Sequence, residues 1–158
     1  MIFVKRMRWV ALCALIGYSA LLITLVVFKA APMIHIGHLR LKFNGTHTGP
    51  GNFTPFNTIW PFLNGRPNRF IAAVNLLGNI FPFTPVGLLA SLVSPRLAWR
   101  RSLVLAVAVG LAMEGTEVLF RVGIFDVDDI LLNAFGVMIG YWILAIFRRR
   151  MPPLLGSS

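Results

Sequence analysis

No acidic residue occurs before Glu114, and none follows Asp129. All five Asp and Glu of the 158-residue chain lie in one stretch, EGTEVLFRVGIFDVDD, with Arg121 as its single cation. Cysteine is almost as scarce. Cys13 stands alone inside the first apolar run, which excludes an internal disulfide and a cysteine-based metal centre. Charge of either sign is sparse, at 13% of residues against about a quarter in soluble domains. With 57% hydrophobic residues and a mean hydropathy of +0.77, the composition points to one integral membrane domain, 1–158.

Four apolar runs are long enough to cross a bilayer, which takes about 20 helical residues. They cover about 9–28, 70–93, 102–120 and 127–147, and predict an all-α, four-helix membrane bundle with one longer loop, 29–69, between the first two helices. The first run has the charged start of a signal peptide, but its apolar core is longer than the usual ~7–15 residues, so an uncleaved anchor is expected. The second run carries Pro82 and Pro85, which predict a kink or a loosened backbone. The net charge of +10 does not suggest nucleic acid, because the basic residues sit at the ends of apolar runs. Lys5, Arg6, Arg8, Arg96, Arg100, Arg101 and Arg148 to Arg150 fall in three short segments that the positive-inside rule assigns to the cytoplasm. Both termini are then cytoplasmic and the acidic hairpin faces outward. Phe53, Phe56, Trp60 and Phe62 in the second half of the loop suit the outer headgroup level.

Ionisable groups inside apolar runs are costly and mark a functional site by default. Glu114, Glu117 and Arg121 are spaced i, i+3, i+7, on one face of a helix. A Glu117–Arg121 ion pair that locks the bundle is the simplest reading, although two acids exceed what one lock requires. Asp126 looks like the cap of the fourth helix, with Asp128 in its first turn. Asp129 and Asn133 lead into Gly136 and Gly140, a polar-then-small stripe that should face another helix closely. Asn75 and Asn79, one turn apart on the second helix, share the depth of the acids, where interhelical hydrogen bonding is their ordinary use. The expected site is therefore Glu114, Glu117, Arg121, Asp129 and Asn133, with Asp126 and Asp128 at its rim and Asn75 or Asn79 on its border. His35 and His38 lack a fixed helix or a nearby acid and are not taken as metal ligands. The glutamate spacing is similar to that of membrane CAAX-type proteases, but no histidine follows His47 to complete such a centre. No metal and no cofactor are expected.

Taken in order, these residues resemble the VanZ-like family. The similarity lies in Asn52-Phe-Thr-Pro55-Phe56, then NLLGNIFPFTPVG from Asn75 to Gly87, Glu114-x-x-Glu117, Arg121, Asp126-Val-Asp128-Asp129, Asn133, Gly136 and Gly140. The family usually has Gln where this chain has Glu117. The resemblance implies a small bacterial envelope protein, and the family's namesake is linked to low-level teicoplanin resistance. Two functions are open on the residues. One is a non-catalytic protein whose acidic pocket binds a surface ligand, such as a teicoplanin-type glycopeptide or a lipid-linked wall precursor. The other is an outer-leaflet enzyme for a lipid-linked glycan or acyl substrate, with Glu114, Glu117 or Asp129 dividing acid and base roles. No nucleophile elbow or phosphate loop favours the second.

Overall fold

In the computed structural model the backbone is described for residues 2–28, 34–36, 39–41, 51–94, 97–121 and 123–150, and side chains for 5–25, 51–94, 97–121 and 123–150. The chain runs through α1 (Ile2–Phe28), β1 (Ile34–Ile36), β2 (Leu39–Leu41), α2 (Ile59–Leu63), α3 (Arg69–Ile80), a 3-10 turn (Phe81–Phe83), α4 (Thr84–Val93), α5 (Trp99–Leu119) and α6 (Val127–Arg150). Four spans are long and apolar enough to cross a membrane: Lys5–Leu25, Arg69–Val93, Trp99–Leu119 and Val127–Arg150. Helices α1 and α6 outrun their apolar cores because helix formation continues through flanking Arg and Lys. Those cations favour the last turn of α6, where Arg148, Arg149 and Arg150 meet the negative end of the helix dipole.

The connection between the first two spans is less irregular than expected. A short antiparallel hairpin pairs His35 with Arg40, and the five-residue α2 follows the 51–58 segment. The second span is interrupted where its prolines predict. Pro82 and Pro85 have no N–H to donate, and the helix tightens into the 3-10 turn rather than leaving its carbonyls unmet. The Tyr18 hydroxyl of α1 donates to the Pro82 carbonyl at 2.8 Å and fastens this break.

Helix α6 is the central element. Half of its apolar window is buried, against 11% in α1, and it packs on α3, the 3-10 turn, α4 and α5. Its small-residue stripe meets the broken second span. A Cβ at Gly136 would strike the Ile80 carbonyl, and one at Gly140 the Thr84 carbonyl. Gly87 of α4 answers from the other side, against the Val137 carbonyl. Backbones can approach this closely only where side chains are missing. Phe83, Val86, Ala106, Met113, Ala134, Val137 and Met138 fill the space around this seam, while Ile16, Leu21, Val104, Leu111, Ile143 and Ile146 point outward, as lipid-facing side chains do.

This seam makes a graded prediction. Gly87→Ala or Gly140→Ala should destabilise the detergent-solubilised protein by about 1–3 kcal/mol, the usual cost of overpacking. Gly78→Ala meets nothing within 4 Å and should be neutral or stabilise by up to about 1 kcal/mol through helix propensity. Thermal melting of the three variants in one detergent checks the order.

Candidate functional site

The polar end of the bundle is built where α5 stops and α6 begins. Helix α5 ends at Leu119, and the Arg121 amide closes a turn on the Val118 carbonyl at 3.1 Å with a left-handed φ of 56°. The chain then returns to start α6 at Val127. Asp126 caps this start, its Oδ1 accepting from the Asp128 amide at 2.8 Å. The Asp126 amide donates to Glu114 Oε2, also at 2.8 Å, so a glutamate from within α5 holds the start of α6.

The 52–59 segment is bound to the same turn. Asn52 pairs with it as a short bridge: its amide donates to the Phe125 carbonyl at 2.8 Å, and its carbonyl accepts from the Val127 amide at 3.0 Å. The Asn52 side chain donates to Asp126 Oδ1 at 2.9 Å, and the Thr58 hydroxyl donates to Asp126 Oδ2 at 2.7 Å. Phe53 stacks on Phe125 with ring centroids 5.2 Å apart. Asp128 completes the joint. It is fully buried, with Oδ1 accepting from the Phe56 amide at 2.6 Å and Oδ2 from the Thr58 and Ile59 amides at 2.6 and 3.1 Å. Thr58 makes no side-chain cap for α2, so Asp128 supplies the missing acceptor from another helix. Its charge also suits the first turn of α6. One carboxylate thus serves two helix starts.

A second set lies beside and below. Glu114 is 1% exposed, and Asp129, Glu117 and Asp126 all lie within electrostatic range of it. Asp129 Oδ1 accepts from Asn79 Nδ2 of α3 at 2.6 Å. Asn133, one turn deeper on α6, is 4% exposed, and its Oδ1 has no hydrogen-bond partner among the described residues. Glu117 folds over the turn, where its Oε2 occupies the space that a Cβ at Gly123 would take.

Two expected members stand apart. Arg121 is exposed and lies beyond the last turn of α5. The i, i+7 spacing fails because the helix ends two residues before it, and the left-handed turn takes Arg121 out of register. Asn75 is also exposed, its side-chain Nδ2 donating to the Ile71 carbonyl of its own helix at 2.8 Å. Among the described residues, no group of three or more His, Cys, Asp or Glu is arranged to hold a metal ion. The imidazoles of His35, His38 and His47 lie outside the described residues. Two joint-forming residues lie outside the expected site: Asn52, marked only within the family-like 52–56 stretch, and Thr58, in a segment read as interfacial loop. Their signal was the cluster of Asn, Thr and Pro just before Ile59, residue types that bind backbone in turns.

Chemically, the arrangement offers closely spaced carboxylates and amides at the edge of the apolar interior. Such groups suit a cationic or hydrogen-bond-donating group. The joint itself gives a prediction. Asp128→Ala should strand three backbone donors, each worth about 1–3 kcal/mol when left unmet. Melting temperature should fall sharply, and the 52–59 segment should become sensitive to protease. Asn75→Ala, at an exposed and self-satisfied position, should leave both unchanged.

Comparison with known proteins places this geometry. Searches of curated proteins and of solved structures gave no match. A family model described as VanZ/LLP1 matches residues 15–148, which takes in every helix of the bundle in whole or large part. The chain belongs to the VanZ/LLP1 family.

Proposed function

We propose that the protein is a non-catalytic envelope component of the bacterial cytoplasmic membrane, presenting its acidic end outward to bind a cationic group of a surface ligand. Teicoplanin-type lipoglycopeptides fit this description, as do lipid-linked wall precursors whose phosphates reach the acids through a bridging divalent cation. Through such binding the protein contributes to glycopeptide resistance. One observation carries the reading. Asp126 and Asp128 already secure the 52–59 segment, yet Glu114, Asp129 and Asn79 converge beside them, with the Asn133 carbonyl oxygen buried and unpartnered among the described residues. Glu114 also holds the start of α6, but the buried Asn133 oxygen takes no part in that lock. The orientation rests on Arg100, Arg101 and Arg148 to Arg150 at the end of the bundle opposite the acids.

Glu114→Gln and Asp129→Asn test the site in a strain whose teicoplanin susceptibility depends on the protein. Both variants should render cells as susceptible as those lacking it, at unchanged membrane abundance, and no new lipid species should accumulate. Undiminished resistance in both would overturn the proposal, whereas an accumulating lipid would indicate an enzyme. The orientation has its own check in a Cys13→Ala background. Asn64→Cys should react with a membrane-impermeant thiol reagent in intact cells, and Arg149→Cys only after lysis.

A further inference from the structure

At the other end of the molecule a groove of about 480 Å³ opens between α1 and α4, within the usual range of about 300–1,000 Å³ for small-ligand sites. Ala11 forms its floor, with Met7, Val10 and Ala14 on one side and Leu89 and Leu92 on the other. Arg6 is the one charged residue in its lining and stands at its N-terminal end. From Arg6 to Ala14 the helix rises about 12 Å, most of the depth of one leaflet, which is half of the ~30 Å hydrocarbon core. The groove therefore has a cationic mouth and an apolar length running inward.

Charge at this mouth is unbalanced. Lys5 and Arg8 flank Arg6 on α1, and α6 brings Arg148, Arg149 and Arg150 to the same end. Arg148 donates to the Ser91 carbonyl of α4 at 2.8 Å, beside the groove wall, and its guanidinium repels that of Arg8. The five Asp and Glu side chains lie where α5 ends and α6 begins, at the opposite end of the bundle, so among the described residues no acidic side chain faces this cluster. An anionic group brought to it is attracted by several cations at once.

We infer that the α1–α4 groove binds an anionic glycerophospholipid, with one acyl chain along Ala11 and Ala14 and the phosphate on Arg6. A headgroup of net negative charge satisfies the cluster, whereas choline would return a positive charge to it. The chain's apolar length matches the groove, which inorganic phosphate would leave empty.

Lipid retained by the purified protein in dodecyl maltoside, measured by native mass spectrometry, tests this with phosphatidylglycerol and phosphatidylcholine of identical chains. The wild type should retain phosphatidylglycerol over phosphatidylcholine by about fivefold, in line with one cation near an anionic headgroup. Arg6→Gln should bring the two lipids to parity. Ala14→Phe, at an exposed position, should reduce both lipids while preserving their ratio. Val10→Trp fills the same groove from a side chain that is 65% exposed and stands in if Ala14→Phe melts early. Equal retention of the two lipids by wild type, or an unchanged preference in Arg6→Gln, would overturn the site. So would full phosphatidylglycerol retention in the groove-filling variants, or its displacement by millimolar inorganic phosphate, which would reduce the groove to a surface charge patch.

Discussion

Asp128 is a buried carboxylate whose two oxygens accept from three backbone amides of the 56–59 segment. A buried carboxylate without such donors would be very costly, and amides at a helix start without an acceptor carry a smaller cost of their own. Each side of the joint thus makes the other tolerable. Asp126 repeats the pattern two residues earlier, capping α6 with its side chain while Asn52 and Thr58 hold that side chain in place. The polar end is possible in an apolar molecule because its groups satisfy one another.

Close packing sets the position of that end. The seam of Gly87, Gly136 and Gly140 brings α6 against the carbonyls of the broken second span, and so fixes the relative height of α3 and α6. Asn79 lies one residue before Ile80, whose carbonyl meets Gly136, and from there its side chain reaches Asp129, two turns nearer the start of α6. A helix seam without small residues would hold the two spans apart and leave that 2.6 Å hydrogen bond unmade. Helix packing and the polar site are consequences of one approach.

The sequence made the bundle legible because length and apolarity suffice to recognise a membrane span, and the glycine stripe suffices to say which face is approached. It also marked the acids, since charge in an apolar run has few explanations. Partnership was less accessible. Helical spacing implied an Arg121–Glu117 pair, but spacing rules hold only inside a helix, and α5 ends at Leu119. Asn75 and Asn79 looked equivalent on periodicity, yet Asn79 reaches Asp129 while Asn75 turns back on its own helix. The joint between 52–59 and α6 spans some seventy positions of sequence and is made largely by backbone amides, which every residue carries. The local cluster of Asn, Thr and Pro marks a turn there but not its partner.

The Asp126 residue has a mechanical side. Its amide holds Glu114, its Oδ1 holds Asn52 and the Asp128 amide, and its Oδ2 holds Thr58. Sliding α6 by one residue would strain the bonds to Glu114, Asn52 and Thr58 together, because they converge on one residue at the helix start. Bonds that meet at one residue are loaded together, so Asp126 acts as a latch for the acidic end and ties the position of Glu114 to that of the 52–59 segment.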